Sequence, residues 1–206
     1  TNQVTIFGKL NDSYEKRPFN NLDDRSLSGG IRYRLSFHTD KTDWIVGAEW
    51  ITEQYEWRLE KNNSLLNENH ENREQANLFS TVHFRPGSNI NISMAGALNR
   101  IGYSLTDRYL SNGDQSGSRT FPLIFSPRIG INYAPGDMLA CYASAGHGFS
   151  LPSPEETLLP EGDVNPELKP EQGMQYEAGT RLNMFGKTVE IDASLYWIEL
   201  NNLLLT

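Results

Sequence analysis

The sequence predicts an all-β protein, an antiparallel up-and-down meander that forms part of the wall of a transmembrane β-barrel. Three observations predict it. Apolar residues recur at every second position almost throughout the 206 residues, the period of a strand with two unlike faces. The connections between these stretches alternate long and short, as in a barrel with long extracellular loops and short periplasmic turns. Phe37, Trp44, Phe84, Tyr133 and Phe185 flank the short connections, where amphipathic rings settle at a membrane surface.

About nine strands can be drawn. The first, near 2–10, sets Val4, Ile6, Gly8 and Leu10 on one face, and a polar loop follows to about 28. The second, 29–37, alternates Ile31, Tyr33, Leu35 and Phe37 with Arg32, Arg34 and Ser36. A short turn at 38–43 leads to a third strand near 44–60, rich in Trp and Tyr, and to a polar loop over 61–72. The fourth, 73–85, places Ala76, Leu78, Ser80, Val82 and Phe84 against Asn77, Phe79, Thr81 and His83. Pro86-Gly87-Ser88 turns into the fifth, 89–101, where Ile90, Ile92 and Met94 alternate with Asn91 and Ser93. A long loop rich in Gly, Ser, Asp and Tyr occupies 102–122.

The sixth strand carries Phe125, Ile129, Ile131 and Tyr133 on one face, and Pro135-Gly136-Asp137 closes the turn to the seventh, Leu139 to Gly146. An irregular loop spans 150–172. The eighth strand, 173–184, alternates Tyr176, Ala178, Thr180 and Leu182 with Gln175, Glu177, Gly179 and Arg181. Phe185-Gly186-Lys187 turns into the ninth, where Val189, Ile191, Leu195 and Trp197 oppose Glu190, Asp192 and Ser194.

Composition removes several function classes. A net charge of −8 argues against nucleic-acid binding, which needs a basic footprint. One cysteine, Cys141, excludes an internal disulfide framework and a cysteine-based metal site. No apolar run approaches the ~18 residues that a membrane helix needs. The mean hydropathy of −0.55 is that of a soluble chain, but a membrane barrel evades this test, because only alternate strand residues meet lipid. A soluble or surface β-rich binding module, adhesin-like, is therefore the alternative.

Three pieces carry a family resemblance: Gly148 to Glu156 (GFSLPSPEE), Asn165 to Glu171 (NPELKPE) and Gln175 to Leu182 (QYEAGTRL). In this order and spacing they resemble the C-terminal part of TonB-dependent outer-membrane receptors. The resemblance implies a 22-stranded barrel with a plugged lumen, of which residues 1–206 are a partial wall of about nine strands, with the plug domain outside this chain. Both chain ends look cut, so the expectation is a portion of something longer, its export signal upstream. It also implies active transport across the outer membrane of a Gram-negative bacterium. The cargo would be a ferric siderophore or similarly scarce ligand, and the TonB complex would act through the absent plug. No cofactor is implied, and no bond in the cargo is broken, so the protein would not be an enzyme.

Candidate sites are few. Tyr103, Arg108, Tyr109 and Arg119 share the 102–122 loop. Arginine offers paired donors to anionic chelate oxygens, and aromatic rings add apolar contact around them, so these four are the candidate ligand-binding residues. The four histidines, His38, His70, His83 and His147, show no metal-ligand spacing. Pairing His83 or His147 with Ser80 or Ser144 would suggest an outer-membrane hydrolase, but no nucleophile-elbow sequence accompanies them. The acidic run from Glu155 to Asn165 lacks the calcium-loop spacing.

Overall fold

The computed structural model describes residues 1–151 and 169–202. The acidic run, most of the 150–172 loop and the greater part of the GFSLPSPEE and NPELKPE pieces lie outside the described residues. One antiparallel sheet contains β1 (Asn2–Lys16), β2 (Asn21–His38), β3 (Thr42–Lys61), β4 (Ser64–Gly87), β5 (Ile90–Asp107), β6 (Gly117–Thr120), β7 (Ile124–Tyr133), β8 (Leu139–Ser150), β9 (Glu171–Met184) and β10 (Val189–Asn201). Nine of these pair in chain order, and the short β6 pairs with β5. The order begins at β1 and ends at β10, so both are edges among the described residues.

Pairing register sorts the side chains, because directly opposed residues share a face. One face carries apolar rows: Phe84, Ile92 and Ile131 lie across β4, β5 and β7, and Leu139, Leu182 and Ile191 lie across β8, β9 and β10. These side chains are exposed, or nearly so, on the described sheet, and Leu195 of the same face is 82% exposed. The opposite face carries polar rows. Thr5, Arg32, Glu49, Asn77 and Asn99 run across five strands. Arg32 bonds Glu49, whose other oxygen accepts from Asn77 Nδ2 at 3.2 Å. Arg181 meets Asp192 at 2.6 Å on the same face. The face with the apolar rows is called outward below, and the polar face inward.

Aromatic rings lie flat on the inward face where glycine stands opposite. A Cβ at Gly47 would sit 2.4 Å from the Phe79 ring and 2.4 Å from the Tyr33 carbonyl. Phe7 over Gly30 and Tyr142 over Gly179 repeat the device, so these positions require glycine for close approach rather than for backbone freedom.

The structure corrects three loop boundaries. Residues 11–28 are not a loop: β1 and β2 continue in register to a tight tip between Lys16 and Asn21. Residues 61–72 likewise belong to β3 and β4, closed by Asn62 and Asn63 alone, both at positive φ (51° and 63°) as a type I′ hairpin requires. Within 102–122, β5 extends to Asp107, a single 3-10 turn covers Leu110–Asn112, and β6 returns along β5. In the first two stretches the residues on both faces are mostly polar, so the alternation that marks a strand disappears although the ladder continues. In β5 it persists, with Ile101, Tyr103 and Leu105 buried and Gly102, Ser104 and Thr106 on the other face. The opposite end keeps short connections, at 39–41, 88–89, 134–138 and 185–188. A strand needs only about 9–11 residues to cross the hydrocarbon, so β3, with 20, and β4, with 24, stand well beyond it on the far side.

Candidate ligand site at the hairpin end of the inward face

The inward side chains of β5 become buried as the strand leaves the belt: Asn99, Ile101, Tyr103, Leu105 and Asp107 are all buried. The chain after β5 folds back to cover them. Asp107 organises this return. Its carboxylate accepts from the Tyr109 amide at 2.7 Å and the Gln115 amide at 3.0 Å, and its own amide donates to Ser116 Oγ at 2.9 Å. Between β6 and β7 the register with β5 shifts by one residue: Thr120 opposes Gly102, whereas Ile124 opposes Asn99. The extra residue among Phe121, Pro122 and Leu123 is a bulge. Phe121 is turned into a small core with Ile101, Tyr103 and Ile124, against which Phe149 and Leu151 pack.

Beneath this cap lies a polar patch on β4. Asn69, Glu71 and Arg73 stand opposite Asp107, Leu105 and Tyr103. Asn69 and Glu71 are fully buried. Arg73 Nε bonds Glu71 Oε1, and Asn69 Nδ2 donates to Asn67 Oδ1 at 3.2 Å. Among the described residues, Glu71 Oε2, Arg73 Nη2, Asn69 Oδ1 and the Tyr103 hydroxyl have no hydrogen-bond partner. Burial pushes the Glu71 carboxyl above the ordinary glutamate range, against the pull of Arg73. Burial also raises the Tyr103 phenol, with Arg119 opposing. Leaving such groups buried and unpaired costs about 1–3 kcal/mol each, so the patch offers donors and acceptors to a polar ligand.

The four residues expected from the sequence do not converge. Tyr103 and Arg119 face each other across β5 and β6, and the Arg119 guanidinium lies over the Phe121 ring at 5.4 Å. Both belong to the inward patch. Arg108 turns to the other face, pairing with Glu56 at 3.2 Å beside His70, which contacts the same oxygen at 3.0 Å. Tyr109 is half-buried and tied in through its amide. Sequence reasoning missed Glu71, Arg73 and Asn69, because their stretch reads as polar loop. The one usable signal was Asn62-Asn63, a pair suited to a two-residue hairpin tip.

The serine–histidine pairings also rearrange. Ser80 accepts from Trp44 Nε1 at 2.9 Å on the outward face, whereas His83 lies in the inward row with Asp43 and Ser93. His147 contacts Ser126 Oγ rather than Ser144, at 3.3 Å, and Gln172 Oε1, also at 3.3 Å. Among the described residues, no three His, Cys, Asp or Glu side chains gather as metal ligands would.

Comparison with known proteins places this geometry. Residues 2–206 match the family described as "TonB dependent receptor-like, beta-barrel". No curated protein is matched by sequence. Among solved structures, the chain is similar to the alcaligin outer-membrane receptor FauA from Bordetella pertussis, with a TM-score of 0.69 and 15% identity over 98% of this chain and 34% of that one. It is similar to the ferripyoverdine receptor of Pseudomonas aeruginosa, with a TM-score of 0.69 and 14% identity over 97% of this chain and 30% of that one. It is also similar to the copper transporter OprC, with a TM-score of 0.80 and 15% identity over 98% of this chain and 36% of that one. The chain thus spans about a third of the length of these structures, and at such identity the likeness is one of fold.

Proposed function

Because the chain belongs to the TonB-dependent receptor β-barrel family, whose members are outer-membrane receptors and transporters rather than enzymes, we propose that residues 1–206 are barrel wall of an active transporter. Its cargo is a ferric siderophore or a comparable scarce ligand. The protein resides in the outer membrane of a Gram-negative bacterium, and the TonB complex drives transport by acting on a plug domain outside these residues. The observation that carries the reading is the division of one continuous sheet into an apolar and a polar face. Such a sheet suits lipid on one side and a filled lumen on the other.

Several features support the finer claims. The solved relatives include receptors named for alcaligin, ferripyoverdine and ferric citrate. The inward patch of Glu71, Arg73, Tyr103 and Arg119 supplies buried polar groups at the hairpin end, where an incoming ligand arrives first. Uptake by the full-length receptor tests the proposal. Cells that lack their own siderophore receptors but express this one would be offered iron-55 bound to a catecholate, a hydroxamate or citrate. At least one complex should be accumulated, and deletion of TonB should abolish that accumulation. Uptake of none, or uptake indifferent to TonB, would contradict the proposal.

A further inference from the structure

The inward face carries a second hollow, on β7 to β10 and separate from the Glu71 patch. One inward row there reads Arg128, Gly146, Gln175 and Ile198, and the row toward the long hairpins reads Gly148, Gly173 and Leu200. Glycine recurs in both rows, so the floor is bare backbone. A Cβ at Gly148 would meet nothing within 4 Å, whereas at Gly173 it would sit 2.9 Å from Leu200 Cδ2 and at Gly146 3.1 Å from Arg128 Nε. Arg128 and Leu200 therefore lean over the glycines from opposite sides. Between them lies a cavity of about 270 Å³, lined also by Gln175 and Ile198. Phe149 lines this cavity and packs against the core that holds Tyr103 and Phe121, so the hollow adjoins the Glu71 patch without sharing its polar groups.

Arg128 is exposed and makes no ion pair or side-chain hydrogen bond among the described residues. The other titratable groups at the rim are committed. Glu171 has a partner of its own, and His147 is held between Ser126 and Gln172. Glu177 lies one row nearer the short turns, opposite Ser144. Ile198 and Leu200, 50% and 59% exposed, offer apolar surface. Volume sets the size of an occupant. Sites that enclose a whole drug-sized ligand run from about 300 to 1,000 Å³, so this one takes a single ring and its substituents. Chemistry sets its type. A planar ring reaches van der Waals distance of a floor that carries no side chains, and it buries its area with few rotors to freeze. A guanidinium pairs with carboxylate or phenolate oxygens and stacks on aromatic faces.

We propose that this hollow is a second ligand site and takes an aromatic ring that bears an anionic oxygen, an aryl carboxylate or a phenolate, with the ring over Gly148 and Gly173 and the oxygen on Arg128. It rests on the proposed function only in that the inward face lines a lumen. Gln175 offers its amide to a neighbouring oxygen, and Ile198 and Leu200 cover the ring's edge. Two sources carry this chemistry: a free aryl acid, and the aryl arm of a ferric chelate whose metal centre sits at the Glu71 patch.

Equilibrium dialysis against the full-length receptor tests the site and separates the sources. The probes are tritiated salicylate, tritiated cyclohexanecarboxylate and iron-55 bound to salicylate. Salicylate should bind, and cyclohexanecarboxylate, equal in charge but not planar, should bind about fivefold more weakly, the worth of stacking a flat ring. Arg128→Gln should weaken salicylate about tenfold, as losing one charge-assisted hydrogen bond implies. Gly148→Val should weaken it at least as much by filling the floor, and the open space at that Cβ leaves the wall itself unstrained. Ser28→Val, on the inward face of β2, should change nothing. Sensitivity of the iron complex to Arg128→Gln and Gly148→Val identifies the arm of a chelate. Sensitivity of free salicylate alone identifies a free acid, and either result supports the site. Wild-type binding no tighter to salicylate than to cyclohexanecarboxylate, or salicylate binding untouched by both variants, overturns the proposal. Failure of TonB-dependent uptake for every ferric complex would strike the transport reading instead, and leave this site to stand or fall on the dialysis.

Discussion

Arg108 and Arg119 are hard to tell apart as sequence: two arginines in one polar stretch that also holds Tyr103 and Tyr109. Pairing separates them. Arg119 stands opposite Tyr103 on the inward face, and Arg108 is held on the outward face by Glu56 at 3.2 Å. A charge-assisted hydrogen bond to a chelate oxygen contributes about 1.5–3 kcal/mol, and ~1.4 kcal/mol is tenfold in affinity. Arg119→Ala should therefore weaken binding of the transported chelate by at least about tenfold, with the loss surviving high salt. Arg108→Ala, whose charge is exposed and on the other face, should change affinity by no more than about twofold, and that change should fade with salt. Titration calorimetry of the full-length receptor at two ionic strengths reads both. Equal losses for the two variants would contradict the assignment of faces.

At the scale of elements, the strands inside the belt were legible because lipid forces alternation onto them. The turns at 135–137 and 185–187 were legible because Pro and Gly carry their own dihedral preferences. The outer halves of the hairpins were not. In residues 64–75 both faces are polar, so Asn67, Asn69, Glu71 and Arg73 look like a solvated loop, and only the backbone ladder reveals the strand. The candidate site was half legible for the same reason: Tyr103 and Arg119 stood out by residue type, while their partners on β4 were hidden in that stretch. The hairpin tip is a place to test this reading. Asn62 and Asn63 sit at φ of 51° and 63°, a conformation that costs an ordinary L-residue roughly 1–2 kcal/mol. Changing both to Ala should raise hydrogen exchange at Lys61 and Ser64 by about tenfold or more, and Asn63→Gly should not. Unchanged protection in the double variant would mean that the tip is not held by its turn.

On the scale of the whole molecule, the sheet formed by the described residues has two long edges, β1 with 15 residues and β10 with 13. Edges of this length leave rows of backbone donors and acceptors without partners. Water cannot satisfy such groups within a membrane, where only closed barrels solve the problem for strands. We propose that further strands of the receptor complete the wall against these edges. The central claim remains the sidedness of the sheet, and β5 tests it most directly. Spin labels placed singly at Asn91, Ile92, Ser93 and Met94 of the full-length receptor in a bilayer would report oxygen accessibility residue by residue. The account predicts alternation, with high values at Ile92 and Met94, whose rows are apolar, and low values at Asn91 and Ser93, whose rows are polar. Four equal values, or high values at Asn91 and Ser93, would contradict it.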